Sequence, residues 1–109
     1  MSQRAVYFNE YNILMQGTTY LPLVSGLLRA YALTVPEICD GYRFMPYIFH
    51  IDAPGRILDR YEVPPFVAAF SLSMWNEQLS LTVAREVKRR FPACIVVFGG
   101  AQVPHDCRR

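Results

Sequence analysis

Phe66-Val67-Ala68-Ala69-Phe70-Ser71-Leu72-Ser73-Met74-Trp75-Asn76, followed after a helix-length interval by Ile95-Val96-Val97-Phe98-Gly99-Gly100, decides the fold. Phe66 to Phe70 and Ile95 to Phe98 are apolar without polar alternation. That pattern predicts strands covered on both faces, as in parallel sheets flanked by helices. In such sheets ligands bind beyond the carboxyl ends of the strands, where Ser71, Ser73, Gly99 and Gly100 fall. Serine hydroxyls donate and accept hydrogen bonds without bulk, and paired glycines let a large flat ligand approach the backbone.

Between the two strands, a helix from about Trp75 to Phe91 places Trp75, Leu79, Val83, Val87 and Phe91 along one face. Glu77, Gln78, Arg85, Lys88 and Arg89 lie largely opposite, and Pro92 stops the helix. Upstream, Ala5 to Phe8 reads as a first strand and Asn9 to Thr19 as the loop after it. Tyr20, Leu23, Val24, Leu27, Leu28 and Tyr31 then recur at helical spacing, with Thr18 or Thr19 as cap and Pro22 in the first turn. Gly26 inside this helix predicts close packing on the sheet. Tyr42 to Phe49 is a second strand, placed at an edge by Pro46. A short helix from Asp52 to Tyr61 leads through Val63-Pro64-Pro65 into the third strand. The expected class is α/β: a doubly wound, flavodoxin-like or Rossmann-like parallel sheet with helices on both faces. Residues 1–109 read as one domain that looks truncated after the fourth strand, with no second domain.

Composition narrows the function classes. The chain has 109 residues, 52% of them hydrophobic, and a formal charge of +2, which fits one globular domain with a real core. Its basic residues gather on one helix (Arg85, Lys88, Arg89, Arg90) and at Arg108 and Arg109, an arrangement that argues against nucleic acid as a partner. No stretch reaches the roughly 20 apolar residues that span a bilayer. Met1-Ser2-Gln3-Arg4 lacks an apolar signal region. The three cysteines, Cys39, Cys94 and Cys107, are widely spaced and read as reduced thiols of a cytoplasmic protein.

In the flavodoxin-like strand order 2-1-3-4, the switch point lies between the first and third strands, so the 9–19 loop faces Ser71 to Asn76 across a crevice. GxGxxG is absent after the first strand, where only Gly17 stands, and there is no P-loop. A phosphoacceptor receiver would carry a carboxylate where this chain has Ser71-Leu72-Ser73.

These residues resemble the cobalamin-binding domain, in the variant found at the N-terminus of cobalamin-dependent radical S-adenosylmethionine enzymes. Cobalamin domains of the methionine synthase and mutase type carry DxHxxG after the first strand, SxL after the third and GG after the fourth. Ser71-Leu72-Ser73 is similar to SxL with serine for leucine, and Gly99-Gly100 supplies GG. Asn12-Ile13-Leu14-Met15-Gln16-Gly17 has the spacing of DxHxxG, with asparagine for aspartate and leucine for histidine. The Trp75-Asn76 pair opening a helix, then Lys88-Arg89-Arg90-Phe91-Pro92, then the glycine pair, resembles the radical branch.

The resemblance implies cobalamin held base-off, without a protein histidine on cobalt, because leucine offers no lone pair. It implies contacts from Asn12, Leu14, Gly17, Thr18, Thr19 and Tyr20, from Ser71, Ser73, Trp75 and Asn76, and from Gly99, Gly100, Gln102 and Val103. A parent methyltransferase would add an iron–sulfur cluster and S-adenosylmethionine through a C-terminal radical domain. No CxxxCxxC occurs here and no nucleophile has a base, so the chain itself is expected to bind rather than catalyse, with no metal-ligating residues and no membrane partner.

Each residue also has a plainer reading. Trp75 reads as a core anchor, Ser73 and Asn76 as helix caps, Gly99-Gly100 as a tight turn, and Asp52 as a cap of the second helix. His50 and His105 read as isolated histidines and the Arg85 to Arg90 cluster as a solvated face. A flavodoxin-like nucleotide or flavin module, and a ligand-free interaction domain, remain alternatives at this level. The apolar fourth strand, with nothing after it, predicts self-association.

Overall fold

The computed structural model describes residues 3–12, 14–15, 18–19 and 23–100. Its principal element is a five-stranded parallel sheet. β1 (Arg4–Asn12) runs beyond Phe8, through the segment expected to be a loop, to Asn12. β2 (Leu14–Met15) and β3 (Thr18–Thr19) then pair antiparallel, Leu14 opposite Thr19 and Met15 opposite Thr18. Thr18 and Thr19 are therefore strand residues and not the residue preceding α1 (Leu23–Ala32). Tyr20 and Pro22 lie outside the described residues.

α2 (Pro36–Gly41) has no counterpart in the sequence reading. It opens on a proline, whose fixed φ suits a first helical turn, and buries no residue, so it leaves no apolar stripe to detect. The expected second strand is divided into β4 (Tyr42–Phe44) and β5 (Ile48–His50), both paired to β1 along one edge of the sheet. Pro46, which has no N–H to give a ladder, sits in the break, while the Met45 N–H still donates to the Val6 carbonyl at 2.9 Å. α3 (Pro54–Leu58) is shorter than the expected helix and leaves Tyr61 beyond its end. β6 (Pro65–Ser71), α4 (Glu77–Arg90) and β7 (Ile95–Gly99) complete the described order. The sheet runs β4-β1-β6-β7 with β5 also against β1, which is the 2-1-3-4 order with its second strand broken in two. The fold is a doubly wound, flavodoxin-like α/β sheet.

The two faces of β1 are distinct. Ala5, Tyr7 and Tyr11 join Ile57 and Leu58 of α3, Val83, Ala84 and Val87 of α4, and Ala68 and Phe70 of β6 in the main core. On the other face the carboxylate of Glu10 reaches Ser25 of α1. β1 is buried from Ala5 to Tyr11, as an apolar central strand should be. β7 differs from the expectation for a strand covered on both sides. Ile95 and Val97 remain 49% and 47% exposed, and among the described residues no strand pairs with its outer edge. Gly26 differs from the expectation as well: a Cβ there would meet no described residue within 4 Å, so packing against the described sheet does not explain it.

Candidate functional site

β6 and β7 are in register to their ends, Phe70 beside Phe98 and Ser71 beside Gly99. The Leu72 N–H then donates to the Gly99 carbonyl at 2.7 Å, holding the two loops together just past the sheet. Gly100 has φ +101°, and a Cβ on it would lie 2.5 Å from the Leu72 carbonyl oxygen. Only glycine fits so close an approach of two backbones in that conformation. At Gly99 a Cβ would meet no described residue within 4 Å. The glycine pair thus has two roles: Gly100 closes the turn, and Gly99 keeps the strand end clear of the other described residues.

β1 and β6 part after the pair Asn9–Phe70. Across the crevice that opens there, the Asn76 amide Nδ2 donates to the Tyr11 carbonyl at 2.9 Å and to the Ser71 carbonyl at 3.0 Å. Its Oδ1 accepts from the Ser73 N–H at 2.9 Å. Asn76 occupies the N-cap position of α4, but its side chain makes no capping bond to the helix. It faces back to the strand ends instead. Trp75 is not a core anchor either: it is 47% exposed, and its indole Nε1–H donates to the same Tyr11 carbonyl at 3.2 Å. The backbone arrangement of a β-strand end followed by a turn leaves the large ring outside the core. Ser73 Oγ is buried without a hydrogen-bond partner among the described residues.

Beneath this rim, Phe8, Asn9, Ala69, Phe70, Ser71, Val97 and Gly99 of the sheet and Ser25 and Leu28 of α1 enclose a slot of about 110 Å³. The slot is largely apolar, with Ser71 and Gly99 at the strand ends. A larger cleft of about 330 Å³, lined by Met45 to Ile48, Asp59, Arg60 and Glu62, contains none of the site residues expected from the sequence.

Under the site lies a buried polar network. Asn9 Oδ1 accepts from the Tyr11 hydroxyl at 2.9 Å and the Tyr61 hydroxyl at 2.8 Å, while its Nδ2 donates to the Ala69 carbonyl at 3.2 Å. Burial pushes the Tyr11 and Tyr61 phenols well above the ordinary tyrosine value; for Tyr61 the bond to Asn9 acts in the opposite direction. Tyr61 stacks on Tyr7, ring centroids 4.4 Å apart. The sequence pattern, which places Asn9 at the start of a loop, does not reveal this network. The available signal is the polar Asn9 directly after the apolar run Ala5–Phe8, because a buried amide requires partners.

Of the residues predicted from the sequence, the structure brings together Ser71, Ser73, Trp75, Asn76, Gly99 and Gly100 at one end of the sheet, with the end of β1 against them. Asn12 ends β1, and Leu14, Thr18 and Thr19 lie in the β2–β3 pair that follows it. Gly17, Tyr20, Gln102 and Val103 lie outside the described residues, as do His105 and Cys107. Asp52 Oδ1 accepts from the Ala53 N–H at 2.8 Å, just before α3. Cys94 is buried, its thiol pushed up by burial, and Cys39 is exposed; both are free. Lys88 donates to the Cys94 carbonyl and Arg89 pairs with Glu86, so part of the basic cluster has local partners on an exposed face. Among the described residues no group of His, Cys, Asp or Glu could hold a metal ion, and no helix is long and apolar enough to cross a membrane.

Fold and site define a doubly wound α/β sheet with a crevice at its switch point. No protein-family model matches the chain. It is 40% identical over 103 residues to the 2-(S-pantetheinyl)-carbapenam-3-carboxylate methyltransferase of Streptantibioticus cattleyicolor, covering 94% of this chain. It is also 40% identical over 104 residues, 93% of this chain, to the cobalamin-dependent radical SAM methyltransferase TokK of Streptomyces tokunonensis. The chain spans 14% of the length of each relative. Over nearly its whole length the chain thus matches a segment of enzymes of the cobalamin-dependent radical S-adenosylmethionine methyltransferase type, and the resemblance read from its residues is borne out.

Proposed function

We propose that the chain is the cobalamin-binding module of a radical S-adenosylmethionine enzyme, a methyltransferase, and that it holds the cofactor base-off without a histidine on cobalt. The observation that carries this reading is the 40% identity to TokK across nearly the whole chain. Features of the crevice fit such a group: a buried Ser73 hydroxyl without a partner among the described residues, a strand end at Gly99 where a Cβ would meet no described residue, and an apolar slot beside Ser71. A corrin is large and flat, and needs polar partners at its rim with unobstructed backbone beneath it.

In this reading Ser71, Ser73, Trp75 and Asn76 line one side of the cofactor and Gly99, Gly100, Gln102 and Val103 another. Asn12, Leu14, Gly17, Thr18, Thr19 and Tyr20 complete the site from β1 onward. The exposed ring of Trp75, restrained by its bond to Tyr11, offers a flat apolar contact. Leu14 stands where related cobalamin domains carry histidine and has no lone pair to give cobalt. Bound cobalamin supplies group-transfer chemistry at cobalt, while the chain's own residues bind and orient it. The iron–sulfur cluster and S-adenosylmethionine belong to the remainder of the parent enzyme. The 109 residues alone act as a single carrier domain, without catalysis of their own.

Incubation with hydroxocobalamin followed by gel filtration tests the reading. A cobalamin absorption spectrum co-eluting with the protein is expected, and colourless protein would overturn it. After reduction, the cob(II)alamin electron paramagnetic resonance spectrum should lack coupling to a histidine nitrogen; resolved coupling would exclude the ligand-free state.

A further inference from the structure

We infer that Asn76 is the positioning residue of the crevice: one carboxamide sets the separation of the β1 and β6 ends and thereby the seat of the bound corrin. This inference rests on the cobalamin reading. Asn76 is 2% exposed, and each of its bonds goes to a different backbone segment. One donor contact holds the carbonyl of Tyr11 on β1, the other holds the carbonyl of Ser71 on β6, and Oδ1 fixes the Ser73 N–H in the loop between. The strands have already left their ladder at Asn9–Phe70, so among the described contacts this side chain replaces ladder bonds across the gap.

The Tyr11 carbonyl that Asn76 holds also receives the Trp75 indole. The orientation of Trp75 is therefore coupled to Asn76 through a shared acceptor. Neither serine, aspartate nor alanine reproduces this arrangement. Aspartate keeps the shape and the acceptor for Ser73 but replaces two N–H donors by a carboxylate oxygen facing two carbonyls. Buried acceptors left without donors, beside an added charge, push the strand ends apart.

The test compares wild type, Asn76→Asp and Val83→Ala, using hydroxocobalamin as the probe. Val83 is fully buried on α4 in the main core, so V83A lowers stability without touching the crevice. Trp75 is the only tryptophan in the chain, which makes its fluorescence a local reporter of the corrin. Cobalamin should quench Trp75 in wild type and V83A and give both the same visible circular dichroism. N76D should bind at least about tenfold more weakly, the loss expected for two ordinary hydrogen bonds. Its quenching and its visible dichroism should also change while its far-ultraviolet dichroism stays that of wild type.

Wild-type affinity and spectrum in N76D would overturn the inference and leave the cobalamin reading standing. The same spectral change in V83A would also overturn it, since general destabilisation would then suffice. Wild type that binds no cobalamin removes the reading and the inference together. If N76D does not fold, the side-chain amide signals of Asn76 in the 15N spectrum of wild type decide. Slow exchange of both protons and a shift on cofactor addition support the role, and rapid exchange or no shift refutes it.

Discussion

Asn9 and Asn76 solve the same problem at two depths. Each is almost fully buried, each has a two-sided polar group, and each spends it on backbone or phenols that the sheet would otherwise leave unpaired. Asn9 gathers Tyr11 and Tyr61 below the crevice, and Asn76 bridges the strand ends above it. The phenols carry a pH consequence. Their folded-state values lie above the ordinary value of about 10, so the folded chain keeps protons that the unfolded chain releases. Their stabilisation is complete below about pH 10 and is lost as pH rises from there towards the folded values. Titration followed at the tyrosinate absorbance should show a subset of the seven tyrosines resisting ionisation until the protein unfolds. Smooth titration of all of them near the ordinary value, with the fold intact, would contradict the buried network. Ser71, Ser73, Gly99 and Gly100 were legible in the sequence because small residues ending apolar runs have few other uses. The Asn9–Tyr61 bond was not, since it joins residues 52 apart and exists only once β1 and the α3–β6 connection are packed.

Elements with a long apolar period or an unbroken apolar run were legible for the same physical reason: they must bury a face. β6, α4 and β7 follow their patterns within a residue or two. α2 and the β2–β3 pair bury too little, or are too short, to leave a pattern. α1 is an intermediate case. Its stripe marks it as a helix, yet Leu27, Leu28 and Tyr31 are exposed. A local tie compensates: Glu10 Oε1 accepts both the N–H and the hydroxyl of Ser25, each at 2.9 Å, close to the start of the helix. A carboxylate at the first turn also meets the positive end of the helix dipole. Ser25 and Leu28 line the apolar slot, so this tie anchors the helix that forms one of its walls. Glu10→Ala should lower stability by about 1.5–3 kcal/mol, the range for hydrogen bonds to a charged group, as read by denaturant unfolding. Hydrogen exchange should locate the loss in α1 while α4 keeps its protection. Uniform loss across both helices would show that Glu10 supports the core and not the α1 attachment.

At the scale of the whole molecule the sheet is asymmetric. Its β4–β5 edge is broken at Pro46, which discourages pairing with another chain, whereas β7 at the opposite edge is continuous. Ile95 and Val97 pair with Val67 and Ala69 on the α1 face of the sheet, and Phe98 lies on the other, against Phe70. Both faces of β7 therefore present partly exposed apolar side chains next to an edge. Covering one large aliphatic side chain contributes about 1.5–3 kcal/mol, so several together favour association strongly. Backbone groups along an edge that no described strand pairs with give that association a direction, strand beside strand. The 109-residue chain on its own should self-associate through β7, with an apparent mass in light scattering that rises with concentration. Ile95→Lys places a charge on that edge, outside the residues lining the slot, and should shift the chain towards monomer while its far-ultraviolet circular dichroism stays that of wild type. A wild-type chain that stays monomeric at high concentration, or an I95K variant that associates as wild type does, would remove β7 as the contact.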